Sequence, residues 1–476
     1  MMAKLNENTE KVIIMGAGPA GLGAGFELSR NGIEAMVVEK DDVVGGISRT
    51  IRYKGYYFDE GGHAFFSRDQ EISEIWHTLL GPNLAKIRRL SRIYYQGRYF
   101  DFPLRLGNAL FGMGLWGSMA ILGSYLKSRV FPYKKEETFE EWVSNRFGKK
   151  LYQVFFKTYT EKVWGIPCSQ IGAEWARQRI GGVSLFSAIR HAFLRRGKSR
   201  TDILTGELRY PPLGPGMMYE AMKDKIERMG SSVVLNREVI SINHNQSEVL
   251  SVIARNKTGK EKSLVATKFI STIPISLLIQ KMTPKPPPDV LEASRKLRYR
   301  GLLMVHLIID RQNLFPDNWL FIHAPEVKVA RIQNYKNWSA RMVPDPTKTS
   351  LGLEYFCVEN DDFWNQSEER LIAIATEEVE KLNIADEHAI LDAFVFKIPH
   401  AYPVYYRGYR EPLETVKRYL ATFDNLQTVG RGGMYKYSHM YHSVLTGLLA
   451  ARNILGSSFD IWHLNVDKDY RNVKLG

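Results

Sequence analysis

Three kinds of residue in this chain could do chemistry at short sequence range. The first is a glycine set, Gly16, Gly18 and Gly21 in "GAGPAG", with Pro19 and Ala20 between them. The second is "GGHAFFS", in which Gly61 and Gly62 remove side chains just before His63, whose imidazole titrates near neutrality. The third is a scatter of arginines, Arg179, Arg331 and Arg431 among them, whose planar forks can hold two phosphate oxygens at once. A metal site is not supported, because no partner His, Asp or Glu sits at ligand spacing from His63, and Cys168 and Cys357 lie far apart without a CxxC pattern.

The glycine set needs a particular frame to act on a ligand, and the sequence supplies it. Lys11 to Met15 is a short apolar run that predicts a strand, "LGAGFELSRNG" predicts the helix after it, and "IEAMVVEK" predicts a second strand ending at Glu39 and Lys40. In such a frame Gly16 allows a tight turn, Gly18 lets the backbone approach a pyrophosphate, and Gly21 lets helix and strand pack closely. Glu39 falls about twenty residues on, where a carboxylate can bind both hydroxyls of a ribose. The spacing predicts a dinucleotide site. "KDDVVGGISRT" continues it, with Gly45, Gly46 and Ser48 allowing close approach and Arg49 offering a cation to phosphate or ribose.

The order GxGxxG, acid, GGxSRT resembles the large FAD superfamily that includes the monoamine oxidases, protoporphyrinogen oxidase, the phytoene desaturases and the UDP-galactopyranose mutases. That resemblance implies FAD as cofactor, and a Rossmann-type α/β FAD-binding domain of the GR2 type, discontinuous in sequence, with an inserted α+β substrate domain. "VGRGGMYKYSHMYHSVLTGLLAARNIL" looks like the closing segment of that superfamily, which brings Gly430, Arg431 and Gly432 to the flavin and predicts a helix from about Ser443 to Leu455. By the same resemblance, backbone around Val239 contacts the adenine side. The expected division is 1–75, 206–275 and 416–476 for the FAD-binding domain, 76–205 for a mainly helical substrate segment and 276–415 for a mixed one. Neither insertion carries a second GxGxxG, so no dedicated NADH domain is expected.

Within the superfamily the chain is most similar to UDP-galactopyranose mutase. The stretches that carry this are GGHAFFS, "YYQGRYFDFPL" at 94–104, "FFKTYTEKVWGIP" at 155–167, "AEWARQRI" at 173–180, "YPPLGPGMM" at 210–218 and "YPVYYRGY" at 402–409. They imply a pyranose/furanose isomerisation of a nucleotide sugar through reduced flavin N5, in surface-glycan biosynthesis. Arg179 then matches the arginine that grips the diphosphate, and Trp164 and Tyr402 join the substrate site. For the second arginine, alignment on Tyr335 selects Lys328 and alignment on residue type selects Arg331. Tyr335 itself would reach a phosphate or sugar hydroxyl, or simply pack. His63 is expected to tune or sense the reduced flavin and not to act as principal base. The alternative is an oxidoreductase of the protoporphyrinogen oxidase or amine oxidase type, passing hydride from substrate to flavin and on to oxygen or another acceptor.

The whole chain sets limits on these readings. With 476 residues, 44% hydrophobic and 24% charged, it is a folded chain of more than one domain. The formal net charge of +14 points to an anionic partner, here a small-molecule substrate, and no nucleic-acid motif accompanies it. The two cysteines fit a reducing cytoplasm, and the polar start "MMAKLNENTEK" predicts no signal peptide. Leu106 to Leu126 carries no charge. Burial, a monotopic membrane contact at the inner face and a full span are all open for it, and its five glycines (107, 112, 114, 117 and 123) favour close helix packing inside the protein.

Overall fold

The computed structural model describes residues 11–63, 69–102, 104, 106–180 and 207–464. Five short strands from three distant parts of the chain form one parallel sheet, in the order Leu426–Thr428, Lys268–Ser271, Val12–Met15, Ala35–Val38, Ser232–Val234. Val12–Met15 is buried along its whole length, as expected of a central strand covered on both faces. The helix Pro19–Arg30 that follows it is buried on nearly every side, and its glycines explain how. A Cβ on Gly21 would overlap the carbonyl of Gly16, and one on Gly23 would lie 2.7 Å from the carbonyl of Val444. Gly447 likewise admits Ala24, whose N would lie 2.8 Å from a Cβ there. The helix Met440–Ile454 therefore seats directly on Pro19–Arg30, and Arg452 closes their far ends through Glu27 at 2.9 Å. First and last segments fold together by backbone contact.

A four-stranded sheet, in the order Glu261–Val265, Val249–Asn256, Arg237–His244, Met282–Thr283, stands beside the parallel one. The largest sheet has seven strands: Ile390–Pro403, Tyr299–Ile309, Thr349–Cys357, Arg331–Asn334, Trp319–Ile322, Ser91–Tyr95 and Arg98–Asp101. Its last two strands come from the segment expected to be mainly helical. Ser91–Tyr95 pairs in parallel with Trp319–Ile322, so the two insertions share a sheet. Short strands of this kind carry little periodic signal, and pairing with a partner more than 200 residues away is invisible to local pattern.

Helices Phe139–Phe147, Thr158–Trp164 and Ala173–Ile180 pack against one face of this sheet around Trp142, Phe155 and Trp164. The other face carries Glu368–Lys381. The helix Leu106–Val130 is kinked at Gly114, where φ is 71°. Its expected burial is not what the structure has. Ile121 is buried, but Leu115, Trp116, Met119 and Leu126 are exposed, and a Cβ on Gly114 or Gly123 would meet nothing within 4 Å. Gly112 packs as expected, against the ring of Phe100, and Gly117 lies against Met113 of its own helix. Among the described residues no helix is long and apolar enough to cross a membrane.

Candidate active site

The parallel sheet ends at a cavity of about 470 Å³, lined by the turn after Val12–Met15, the end of Ala35–Val38, the start of Arg237–His244 and the Gly430–Gly433 turn. Gly16, Gly18, Pro19, Ala20, Glu39, Lys40, Gly46, Ser48, Arg49, Val239, Gly430, Arg431 and Gly432 all line it. Gly16 has φ of 105° and lies against the side chain of Thr272, so a Cβ there would overlap Thr272 Oγ1. The helix Pro19–Arg30 begins at Gly18 with no side-chain cap, which leaves its first N–H groups to an anion.

Glu39 is buried and accepts from Ala17 N at 2.7 Å and Asp41 N at 3.0 Å. Burial pushes its carboxyl above the usual range, and those two N–H donors oppose the rise. A glycine cradle, an uncapped helix start and an acid at the second strand end fit a dinucleotide.

Five of the expected cofactor contacts are not among the residues that line this cavity. Gly21 supports helix packing, and Gly45, with φ of 104°, packs on Tyr219 and Arg49. Gly61, Gly62 and His63 lie toward the seven-stranded sheet. Arg49 lines the cavity as expected, and its charge is partnered there: its Nε pairs with Glu60 at 2.5 Å and its Nη1 with Asp41 at 2.8 Å. Among the lining residues missed are Thr272, Ile273 and Pro274, after the strand Lys268–Ser271, and the basic Arg237 and Lys281. For the first three the signal was present, since "STIP" is a turn at the end of a buried strand of the parallel sheet.

Beside the cavity lies a wall of aromatic and basic side chains. Arg431 donates to the carbonyls of Ser438 and Ala401, and its guanidinium carbon sits 4.9 Å from the ring centre of Tyr402 and 5.1 Å from that of Tyr437. His63 places Nε2 2.8 Å from the carbonyl of Glu60, so the neutral ring donates there. Burial, then the charge of Arg431, and further on that of Arg331, lower His63 to about 3, and it stays uncharged at neutral pH. Arg331 packs where a Cβ on Gly62 would lie 2.9 Å from its Cζ, which is why the position before His63 is glycine. It makes a two-point pair with fully buried Glu354, Nε to Oε1 at 2.8 Å and Nη2 to Oε2 at 2.5 Å.

The second-arginine ambiguity resolves in position. Lys328 is exposed, with its Nζ 5.2 Å from the ring centre of Phe363 and its backbone N–H on Glu378, away from His63. Tyr335 is a packing residue and not a site residue: it is fully buried, and its hydroxyl donates to the carbonyl of Asp59 at 3.0 Å with His306 Nδ1 at 3.1 Å. Trp164 is likewise core, edge-on to Trp175 with ring centres 4.7 Å apart and stacked on Tyr405 at 6.1 Å. Arg179 lies on Ala173–Ile180, but its side chain is outside the described residues. Its neighbour Arg177 is exposed and donates to the carbonyl of Glu136.

Arg89 is a wall residue that sequence reading passed over. Its guanidinium carbon is 5.7 Å from the ring centres of both Phe102 and Trp319, its Nε is buried without a partner, and no described carboxylate pairs with it. Burial and then the charge of Arg331 lower its pKa, which places two guanidiniums in one field. Nothing in "KIRRLSR" distinguishes it from exposed Arg88 before the fold is known. Among the described residues, no group of three or more His, Cys, Asp or Glu is placed to hold a metal ion.

Fold and cradle together define a flavin-dependent enzyme with a dinucleotide site built from both ends of the chain. The chain belongs to the flavin containing amine oxidoreductase family, whose model matches residues 19–455, and FAD is its cofactor. It is 24% identical over 318 residues to an L-amino-acid oxidase of Crotalus adamanteus, covering 64% of this chain but 59% of the relative, less than two thirds of its length. Among solved structures it is similar to a reduced UDP-galactopyranose mutase, with a TM-score of 0.81 at 22% identity over 94% of both chains. It is also similar to a protein described as a protoporphyrinogen oxidase of Exiguobacterium, with a TM-score of 0.71 at 17% identity over 94% of this chain and 99% of that one. At those identities the likeness is one of fold.

Proposed function

We propose that this flavoenzyme acts on an anionic substrate and that the substrate is a nucleotide sugar, isomerised between ring forms with the flavin reduced. The carrying observation is the charge around His63. Arg431 and Arg331 act on it, Arg89 lies in the field of Arg331, and the carboxylate paired with these three among the described residues is Glu354. A wall with that balance favours a diphosphate and disfavours a protonated amine.

Bound FAD would supply the electron-rich centre that such a reaction needs at the anomeric carbon. The chain's own part is to hold the departing diphosphate, and Arg89 has N–H donors that no described carboxylate uses. Arg331, held by Glu354, adds directed charge without freedom to swing. Neutral His63 keeps its proton on the carbonyl of Glu60 and so does not serve as the principal acid. Arg431 occupies the space between Tyr402 and Tyr437, which supports the preference against cationic substrates.

The test uses the FAD-loaded protein, dithionite-reduced under anaerobic conditions or oxidised in aerated buffer, with a panel of nucleotide sugars. Isomers are followed by liquid chromatography and oxygen uptake in parallel. Isomer formation by the reduced protein alone, without net electron flow, is the expected result. Turnover by the oxidised protein alone, with oxygen or dye consumed, would replace this reading with the oxidoreductase.

A further inference from the structure

Fifteen large apolar side chains of the described residues are exposed, and eight of them fall between Leu115 and Tyr133. The other seven are scattered over the surface, which is ordinary. Leu115, Met119, Leu122, Leu126 and Val130 recur every three or four residues and so form one stripe along Leu106–Val130. Trp116, 81% exposed, stands beside the stripe, and Phe131, 75% exposed, continues it past the helix end. The opposite side of the helix holds buried Ile121 and packs Tyr125 against the domain, where Gly148 lets the two backbones meet. The ridge is therefore anchored from behind and bare in front.

Its charge is one-sided. From Phe102 to Lys135 the sequence has no Asp or Glu, while it carries Arg105, Lys127, Arg129, Lys134 and Lys135. Lys127 and Arg129 are exposed, and at 100° per residue they fall on the two edges of the stripe. Lys134 and Lys135, also exposed, cluster just past its end. Apolar aromatics bounded by cations and free of carboxylates match an interface of acyl chains and anionic headgroups. A second copy of the chain meeting this face about a two-fold axis would set like charges against each other.

We infer that the ridge Leu115–Tyr133 docks this protein on an anionic lipid bilayer, with Leu106–Val130 lying in the plane of the interface. The helix is not apolar enough to cross, and its kink at Gly114 lets the segment after it follow a flat surface. The inference is independent of the substrate.

The experiment is cosedimentation of the FAD-loaded full chain with vesicles of phosphatidylcholine alone and of phosphatidylcholine mixed with phosphatidylglycerol. The expected result is partitioning onto the mixed vesicles that falls with salt, at roughly fivefold for each basic side chain engaged. Trp116→Ser with Phe131→Ser should cut the bound fraction about tenfold or more, since two exposed aromatics lose their burial in lipid. Lys127→Glu with Arg129→Glu should abolish the preference for phosphatidylglycerol while leaving flavin absorbance unchanged. Failure of the wild type to bind mixed vesicles would overturn the inference, as would equal binding by Trp116→Ser with Phe131→Ser. A dimer in sedimentation equilibrium that this double substitution dissociates, with no vesicle binding, would overturn it in favour of a second copy.

Discussion

In the cradle, Gly16, Gly18 and Glu39 lie within one strand, turn, helix and strand, and the chain offers mostly backbone to its ligand. In the wall beside it, Gly62, Arg89, Trp319, Arg331 and Glu354 come from stretches up to nearly 300 residues apart and meet through side chains. A backbone cradle tolerates no extra atom but hardly cares which side chains surround it. A side-chain wall tolerates variation in the backbone but depends on every charge having its counterpart. The first arrangement keeps a cofactor across a family, and the second lets the substrate change.

Substitutions can break that contrast. The largest effect is expected from Gly16→Val, which puts a branched side chain at φ of 105° and into Thr272 Oγ1. The purified protein should be nearly colourless, with FAD content down at least about tenfold, measured as flavin absorbance per protein. Retention of FAD by Gly16→Val together with its loss from Arg331→Ala would reverse the roles assigned to the two regions.

Arg331→Ala comes next. It leaves Glu354 fully buried without its partner, which should cost about 3–5 kcal/mol in denaturant unfolding while the folded fraction keeps its flavin. Arg331→Met with Glu354→Leu should recover most of that stability and still bind nucleotide sugars poorly. A double variant as unstable as the single one would mean that the pair's geometry, not its charge balance, holds the wall.

Between the two regions sits Asp59, buried with its carboxylate accepting from Tyr210 and from Thr50 at 3.0 Å. Burial raises it from an ordinary 3.8 to about 7, against those two hydrogen bonds. A raised carboxyl contributes stability that is complete below its unfolded value and lost as pH rises through the folded one. Thermal melts should therefore show wild type losing ground to Asp59→Asn between about pH 4 and 7. A gap that stays constant over that range would show that Asp59 does not take up its proton in the folded state.

The smallest effect belongs to Arg89→Met. Removing a half-buried guanidinium that has no counterion among the described residues should raise stability by about 1 kcal/mol and weaken nucleotide-sugar binding about tenfold, with FAD content unchanged. Unchanged binding would reduce Arg89 to a packing residue against Phe102 and Trp319.

How far each part was legible follows from where its contacts come from. The glycines and Glu39 were readable because turn, helix start and acid occur in order within a short span, and each demand falls on a residue type. At Arg49 type and position were legible, but not the partnering of its charge by Glu60 and Asp41. At Trp164 similarity to a motif pointed at the substrate site and the structure buries the ring among aromatics, while at Tyr335 packing, one of its two expected readings, is what the structure has. Leu106 to Leu126 was uncharged and glycine-rich on the page, which suited burial. Only the fold shows that two of those glycines face open space.

The sequence by itself determined the dinucleotide frame, because that rests on local backbone geometry that few residue types permit, and its resemblance to a superfamily implied which dinucleotide. Only the tertiary structure decided which arginines face His63, which are already matched by a carboxylate, and which apolar surface stays bare. Those are properties of pairs and faces, set by strands such as Ser91–Tyr95 and Trp319–Ile322 that meet across more than 200 residues. No local pattern encodes the partner that a charge or a surface will find.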